Sequence, residues 1–407
     1  MLEKKMCRLL ESYIKTGTLQ LSFPDGETQS IGQGEPHAHM LLENPAALPR
    51  MARNPDISIG EAYVAGDWRP GAGGLEKLFE LYYANDRPSS PRGLRAMARR
   101  MKGLLQELNN KTEAQRNIAR HYDLDIDLFR RFLDRNLHYS CGYFEAPNVT
   151  LEEAQVAKCR HIAGKLLLKR GDRVLDIGSG WGSLGIYLAQ EFAVEVVGLT
   201  LSEEQFKASN ARAVQAGVEA RAQFHLQDYR AHRGTYDAVV SVGMFEHVGR
   251  PQYQTFFDHL DHLLKPTGRA LIHTIGRSSP PCDSQGWMQR YIFPGGYVPA
   301  LSEVAQRIEK TGLQMSDLEI WRVHYAETLR HWNQRFQSHR GDIAARLGEQ
   351  FCRMWEFYLV GSAAVFRWGD LVVFHLQIAK RNDTVPLTRN YLYDPAANFD
   401  QRFAALP

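Results

Sequence analysis

An acidic residue followed by three alternating glycines stands near the centre of the chain. Asp176 precedes Gly178, Gly180 and Gly182 in the stretch Asp-Ile-Gly-Ser-Gly-Trp-Gly. The apolar residues before it are typical of a short buried strand, and those after it have helical spacing. Glycines let the backbone approach a ligand closely, and the amino end of a helix presents free N–H groups. The stretch therefore predicts a nucleotide-binding turn between a strand and a helix.

The spacing of these glycines favours one kind of nucleotide. The dinucleotide fingerprint is Gly-x-Gly-x-x-Gly, whereas this chain has Gly-x-Gly-x-Gly with Asp176 two residues ahead. A carboxylate there repels a pyrophosphate and attracts an ammonium group. The α-amino group and sulfonium of S-adenosylmethionine (SAM) therefore suit the turn better than NAD does. NAD, or a tight turn that binds nothing, are the alternatives.

Composition excludes several other classes of protein. The 407 residues are 44% hydrophobic and 23% charged, as in ordinary soluble domains, and a net charge of +3 is too small to indicate a nucleic-acid partner. Five scattered cysteines form no Cys-x-x-Cys pair, which favours a reducing compartment and predicts no metal site. No apolar run approaches the ~18 residues of a membrane span, and we expect a cytoplasmic protein.

Changes in composition divide the chain into three parts. Residues 1–85 are predicted to form a small mixed α+β domain, residues 86–116 a basic amphipathic linker, and residues 117–407 the catalytic domain. The linker has six Lys or Arg side chains between positions 87 and 102 and no acid among them. Such a helix can lie on an anionic membrane, and it can equally be a solvated helix packed on its own domain. The first reading predicts liposome binding that weakens as salt rises.

From residue 174 onwards, strand patterns alternate with helical ones. Strands are predicted at 174–177, 194–199, 222–226, 236–242, 270–274 and 371–380. This alternation predicts a parallel sheet whose ligands lie at the carboxyl ends of its strands. Residues 275–300, rich in Gly and Pro, are expected to form a mobile insert over that edge, and residues 324–366 a long aromatic helical segment.

Polar residues after the second and third of these strands are candidates for the nucleoside. The position that commonly carries an acid for the ribose hydroxyls has none, so Thr200 and Gln205 are the candidates there. Asp228 can accept a hydrogen bond from the adenine amine, and Tyr229 can stack on the ring. Each of them can also serve only as a cap or a turn partner.

Several stretches in a fixed order resemble one family. They are HYSCGYFE (138–145), VLDIGSGWG (174–182), VVGLTLSEEQ (196–205), LQDYR (226–230), VSVGMFEHVG (240–249), LIHTIG (271–276), YIFPGG (291–296) and Tyr325. In these motifs the chain resembles the cyclopropane-fatty-acyl-phospholipid synthases and the related mycolic acid cyclopropane synthases. Residues 1–85 resemble the additional, lipid-binding-like domain of the phospholipid-acting branch.

The resemblance implies a fold and a reaction. The fold is α/β, a Rossmann-like class I SAM-dependent methyltransferase domain joined to a small mixed α+β amino-terminal domain. The implied reaction transfers the SAM methyl group to a cis double bond of an unsaturated phospholipid acyl chain. A bound bicarbonate then takes a proton from the new methyl group, and a cyclopropane ring closes. Implied partners are phospholipids at the inner face of a membrane, contacted peripherally, and a second copy in a homodimer.

The resemblance also implies site residues, taken position by position. The bicarbonate set is Cys141 and Ile275 through their backbones, with Glu246, His273 and Tyr325. The SAM set is Tyr139, Ser140, Asp176, Gly178, Gly180, Gly182, Thr200, Gln205, Asp228 and Tyr229.

Other functions share parts of this pattern. A related lipid C-methyltransferase leaves a methyl branch or a methylene group instead of a ring. Some N-methyltransferases of small amines resemble the family as well. A lipid-binding protein with an inactive methyltransferase frame is a non-enzymatic alternative, which the intact glycine turn and Glu246, His273 and Tyr325 disfavour.

Overall fold

The computed structural model describes residues 10–85, 126–283 and 286–393. These residues divide into two compact units. The first contains residues 10–85, 282–283, 286–294 and 325–371, and the second contains residues 126–281, 295–324 and 372–393. The predicted linker, residues 86–116, lies outside the described residues, so the predicted boundaries there stay a prediction.

The strands and helices are numbered in chain order. The strands are β1 (Gly17–Ser22), β2 (Thr28–Gln33), β3 (His37–Leu42), β4 (Trp68–Pro70), β5 (Arg173–Ile177), β6 (Glu195–Thr200), β7 (Ala222–Leu226), β8 (Tyr236–Val242), β9 (Leu264–Arg277), β10 (Gln314–Trp321) and β11 (Leu371–Ala379). The helices are α1 (Leu48–Arg53), α2 (Pro55–Ala65), α3 (Gly74–Asn85), α4 (Ile126–Phe132), α5 (Leu151–Leu166), α6 (Ser183–Glu191), α7 (Glu203–Gln215), α8 (Tyr253–Leu263), α9 (Gly286–Tyr291), α10 (Leu301–Ile308), α11 (His324–Ser338), α12 (Arg340–Leu347), α13 (Glu349–Trp368) and α14 (Asn390–Tyr393).

The first unit is built on a small mixed sheet of order β2-β1-β3-β4. Strand β1 runs antiparallel to β2 and parallel to β3, and alternate residues such as Leu19, Leu21 and Ile31 are buried. Helix α2 packs closely on later elements, because Gly60 lies against Trp287 of α9 and Phe357 of α13. This small mixed α+β fold confirms the class predicted for the amino-terminal region. It also takes in helices from residues 325–371, which the sequence did not indicate.

The second unit is built on a seven-stranded sheet of order β10-β11-β9-β8-β5-β6-β7. Strands β7, β6, β5, β8 and β9 are parallel to their neighbours in this run, so their carboxyl ends lie at one edge. Apolar cores cover both faces, because parallel strands are buried on both sides. The predicted α/β fold is confirmed.

Two details of the predicted sheet are wrong. Strand β10 was not predicted, and it runs antiparallel to β11, so the sheet is not wholly parallel. Strand β9 is much longer than 270–274, since it runs from Leu264 to Arg277, with His273 inside it. The added length follows from pairing on both sides, since β9 lies between β8 and β11. Residues 275–300 likewise contain the end of β9 and helix α9.

The long aromatic segment predicted at 324–366 is three successive helices, α11 to α13. Gly348, with a φ of 85°, separates α12 from α13. No helix in the described part of the chain is both long enough and apolar enough to cross a bilayer.

Gly182 tests how tightly the turn after β5 is packed. Its φ is 78°, and an added Cβ would lie 2.8 Å from Phe224 and Ser209. Gly182→Ala is therefore expected to lower the free energy of unfolding by about 2–5 kcal/mol, from left-handed strain plus overpacking. Gly217→Ala is the matched control, because Gly217 has a φ of 67° and no neighbour within 4 Å. It should cost only about 1–2 kcal/mol. Equal losses in urea or thermal unfolding would show that packing around Gly182 contributes nothing.

Candidate active site

The glycine turn directly follows β5 and is tied to the adjacent strand β6. The N–H groups of Gly178 and Ser179 both donate to the carbonyl of Leu199 at 2.9 Å. Gly178, Gly180 and Gly182 have φ values of 85°, 55° and 78°, in the left-handed region that favours glycine. The sequence folds this way because three left-handed backbone conformations within five positions would strain any residue that has a side chain.

The turn forms one wall of a cavity at the carboxyl edge of the sheet. Every residue predicted to bind the cofactor lines this cavity except Gly182. Gly182 instead precedes α6 and packs against Phe224. The other lining residues include Leu137, His138, Lys158, Trp181, Leu199, Gln227, Arg230, Met244 and His247. The structure thus brings together side chains that lie up to 111 positions apart in the chain, from Leu137 to Val248.

Asp176 is one of the two acidic residues that line this cavity, with Asp228. Its side chain is 2% exposed, and burial raises the pKa of its carboxyl to about 7 while the charge of Lys158 opposes that rise. No described residue donates a hydrogen bond to its carboxyl group. A cation placed there would supply the missing partner, as the α-amino group of SAM does chemically.

The predicted ribose and adenine residues hold one another in place. The Thr200 hydroxyl donates to Gln205 Oε1 at 2.8 Å, which turns the Gln205 amide N–H groups away from Thr200. Asp228 is ion-paired with Arg230 at 2.6 Å, so its carboxylate is already partly used. Burial raises the pKa of the Tyr229 hydroxyl, and its ring packs edge-on against Phe256. Tyr229 is therefore neutral and rigid.

The loop carrying Tyr139 and Ser140 is fixed by a buried carboxylate. Asp134 accepts from the His138 N–H at 2.7 Å and lies 2.9 Å from its ring Nδ1. On the other side of the ring, His138 Nε2 lies 3.2 Å from the Cys159 thiol. The Tyr139 ring packs edge-on against Phe129. These contacts hold the loop against α4 and α5.

Glu246 and Ile275, two members of the predicted bicarbonate set, are in direct contact. The Ile275 N–H donates to Glu246 Oε1 at 2.6 Å, while Glu246 Oε2 is buried with no partner among the described residues. Burial raises the pKa of the Glu246 carboxyl to about 7. The neighbouring Met244 and His247 line the cavity. Glu246 therefore lies beside the cavity wall with one oxygen still to be satisfied.

His273 lies in β9 and is paired with a second buried histidine. Its Nδ1 lies 2.7 Å from Nε2 of His375, and burial lowers the pKa of both rings well below the usual value. Because both rings are neutral, one of the two facing nitrogens carries the proton of this hydrogen bond and the other accepts it. His375 Nδ1 has no described partner, and an unpaired acceptor is tolerated better than an unpaired N–H. This assigns the shared proton to His375 and leaves His273 Nε2–H as a donor.

For the other two members of that set, Cys141 and Tyr325, the structure shows the immediate packing of each residue. Cys141 is fully buried, and its thiol donates to the Gly142 carbonyl at 3.3 Å, which agrees with a role for its backbone only. Tyr325 belongs to the first unit, where its ring packs against Phe366 and edge-on against Trp332. Its membership of the bicarbonate set stays a prediction.

Sequence reasoning missed Lys158 and the buried group around His375. Next to His375, the ligand atoms of His161, Glu319 and His375 lie within 4.8 Å of one another. Lys165 Nζ lies 2.7 Å from Glu319, so this carboxylate is already paired with a cation, and the ammonium group would repel a metal ion here. Only the helical spacing of Lys158, His161 and Lys165 on the buried face of α5 signalled these residues.

Comparison with known proteins assigns the chain to a family. A family model described as mycolic acid cyclopropane synthetase matches residues 109–376, well over half of the chain. The chain belongs to the mycolic acid cyclopropane synthetase family. A second model, described as a domain of unknown function, matches residues 7–90.

Individual members of the synthetase family match over most of their length. The chain is 36% identical to the cyclopropane-fatty-acyl-phospholipid synthase of Escherichia coli K12 over 348 residues, 85% of this chain and 89% of that one. It is 37% identical to the tuberculostearic acid methyltransferase of Mycobacterium tuberculosis over 393 residues, 90% of this chain and 89% of that one. The solved structure of the mycolic acid cyclopropane synthase CmaA1 with S-adenosylhomocysteine (SAH) matches with a TM-score of 0.62 and 32% identity, covering 65% of this chain and 97% of that one.

Membership of the synthetase family confirms the predicted enzyme class, a SAM-dependent methyltransferase. The residue types that line the cavity also fit that cosubstrate. Asp176 suits an ammonium group, the glycine turn allows close approach, and Thr200 with Gln205 suits paired hydroxyls.

A substitution at Gly180 tests whether the cavity beside the glycine turn binds the ligand. An added Cβ there has no protein atom within 4 Å, and Gly180 lines the cavity. Gly180→Ala is expected to weaken SAH binding about tenfold or more, because the methyl group takes up ligand space. Gly171→Ala is the control, since Gly171 has a φ of 84°, an open surrounding and no part in the cavity lining. Isothermal titration calorimetry of both variants decides. Unchanged SAH affinity in Gly180→Ala would place the ligand elsewhere.

Proposed function

We propose that this enzyme methylates a cis double bond in an unsaturated phospholipid acyl chain and closes a cyclopropane ring there. The observation that supports this most is the match to the E. coli cyclopropane-fatty-acyl-phospholipid synthase, which is 36% identical over 85% of the chain. The CmaA1 structure covers only 65% of it. The additional region favours a phospholipid as the substrate.

The cavity residues are proposed to hold the methyl donor. SAM supplies the methyl group when it is bound. Asp176 would hold its ammonium group, and Tyr139, Ser140, Gly178 and Gly180 would surround the methionine part. The Gln205 amide is free to donate to a ribose hydroxyl because Thr200 donates to its Oε1. Tyr229 and Asp228 would contact adenine, and Asp228 would do so while paired with Arg230.

The chemistry of an alkene determines what the protein must provide next. An alkene has no proton to lose before it attacks the methyl carbon, so the first step needs no base. Breaking the sulfur–carbon bond leaves a carbocation on the acyl chain. Loss of a proton from the new methyl group then closes the ring, with the C–H electrons forming the last bond. The site must therefore tolerate a cation and hold a proton acceptor close to it.

We propose bicarbonate as that acceptor, held by Cys141, Glu246, His273, Ile275 and Tyr325. Bicarbonate would supply an anion that accepts the proton. His273 Nε2–H supports this as a donor, and the unpaired Oε2 of Glu246 supports it as an acceptor for the bicarbonate hydroxyl. The Ile275 N–H is the exception, since it donates to Glu246. When the anion binds, Glu246 would have to share the hydrogen bond from the Ile275 N–H with it or give up that bond.

Methylation without ring closure is a second candidate. The similarity to a tuberculostearic acid methyltransferase, 37% identical over 90% of this chain, favours it. Both reactions use the same cation and differ in its fate. Peripheral membrane contact at the inner face, through the basic residues 86–116, and a homodimer remain proposals carried by the sequence.

Product analysis distinguishes the two candidates. The purified protein is incubated with SAM and liposomes of unsaturated phosphatidylethanolamine or phosphatidylglycerol. Ring closure predicts a product one CH2 heavier, with ring-proton NMR signals and no remaining alkene. A methyl doublet or a retained alkene would identify the second candidate instead. No gain in lipid mass would rule out both.

The pKa of Glu246 predicts a pH dependence. Its carboxyl has a pKa raised to about 7. Protonation of Glu246 removes the carboxylate that would accept the hydrogen bond from the bicarbonate hydroxyl. Turnover is therefore expected to fall as pH drops through about 7 when bicarbonate concentration is held constant. Glu246→Gln should reduce turnover about a hundredfold or more, with SAH affinity nearly unchanged. Glu204→Gln, at an exposed carboxylate, is the control. Near-normal turnover in Glu246→Gln would contradict the proposed site.

A further inference from the structure

Lys158 is a buried cation for which the proposed site has no role. Its side chain extends from α5 and is 1% exposed. Its Nζ donates to Ser140 Oγ at 2.8 Å and to Gln155 Oε1 at 2.6 Å, and both acceptors are neutral. An ammonium has three protons, so these two contacts leave one to be placed. Among the described residues, no carboxylate forms an ion pair with Lys158.

An unpaired buried charge is unfavourable, and burial indeed lowers the pKa of this lysine. Buried charges are normally paired or neutralised. Lys158 lines the same cavity as Asp176, and each group alters the pKa of the other through its charge. The methionine end of the cavity therefore presents one cation and one anion. The complement of such a pair is a zwitterion, which is what the amino-acid end of SAM or SAH is.

We infer that Lys158 binds the α-carboxylate of SAM, opposite the α-ammonium group at Asp176. Ser140 takes part in the same contact. Its Oγ accepts from Lys158, and no described acceptor takes its own proton, so the hydroxyl can donate to the carboxylate. Gln155 supports this arrangement from behind, since its amide donates to the Ser140 carbonyl at 2.9 Å while its oxygen accepts from Lys158. The inference rests on SAM as the ligand of the cavity.

The test compares two ligands that differ only in the carboxylate. SAH carries both charged groups, and its decarboxylated analogue keeps the amine alone. Wild-type protein is expected to bind SAH about ten- to a hundredfold more tightly than the analogue, as is usual for a hydrogen bond to a charged group. Lys158→Met should lose that preference: SAH binding weakens by the same factor, and binding of the analogue is unchanged.

Asp176→Asn is the matched control, because both ligands carry the amine. It should weaken both by a similar factor and keep the wild-type preference for SAH. A purely structural role for Lys158 would weaken both ligands together in Lys158→Met, and that outcome overturns the inference. Met replaces a buried charge with an apolar chain of similar length, which cores commonly tolerate.

The wild-type comparison stands even if the variant does not fold. Equal affinity of wild-type protein for SAH and its decarboxylated analogue would overturn the inference by itself. Failure of wild-type protein to bind either ligand would instead count against SAM as the ligand of this cavity. The two failures are therefore distinguishable by calorimetry.

Discussion

Two backbone N–H groups that share one carbonyl acceptor hold the site together. Gly178 and Ser179 both donate to Leu199, and this links the end of β5 to the end of β6. The glycines of this turn have left-handed backbone conformations, which glycine adopts without strain. Thr200 follows Leu199 directly, so the same contact sets the distance between the glycine turn and the proposed ribose residues. The cavity wall depends on this turn.

Burial is the common electrostatic influence around the cavity. It raises the pKa of Asp176 and Glu246 to about 7 and lowers that of Lys158 and His273. Burial thus disfavours the charged form of each of these groups, and an opposite charge brought close to the group offsets that cost. A zwitterionic cosubstrate would meet that need at Asp176 and Lys158, and the proposed bicarbonate would meet it near His273. The electrostatics favour ligands with matching charges over apolar ones.

Much of the second unit could be predicted because its strands carry local signals. The bounds of β7 and β8 match the prediction, since alternating apolar residues mark β7 and a mostly apolar run marks β8. Strand β10 was missed because its sequence, Gln-Met-Ser-Asp-Leu-Glu-Ile-Trp, has charged residues within it. Asp317 and Glu319 are tolerated there because Lys165 from α5 neutralises them. That pairing joins residues about 150 positions apart, so no local pattern reveals it.

The sequence by itself determined the glycine turn, the α/β alternation and the residue types that a SAM site needs. These depend on backbone preference and on spacing along the chain, which are local properties. Only the tertiary structure decided that Gly182 serves packing, that the Ile275 N–H is engaged by Glu246, and that Lys158 and Asp176 line one cavity. Desolvation and hydrogen-bond competition depend on which distant side chains surround a group. For that reason the charge arrangement of the cavity is a property of the fold, although each of its members is visible in the sequence.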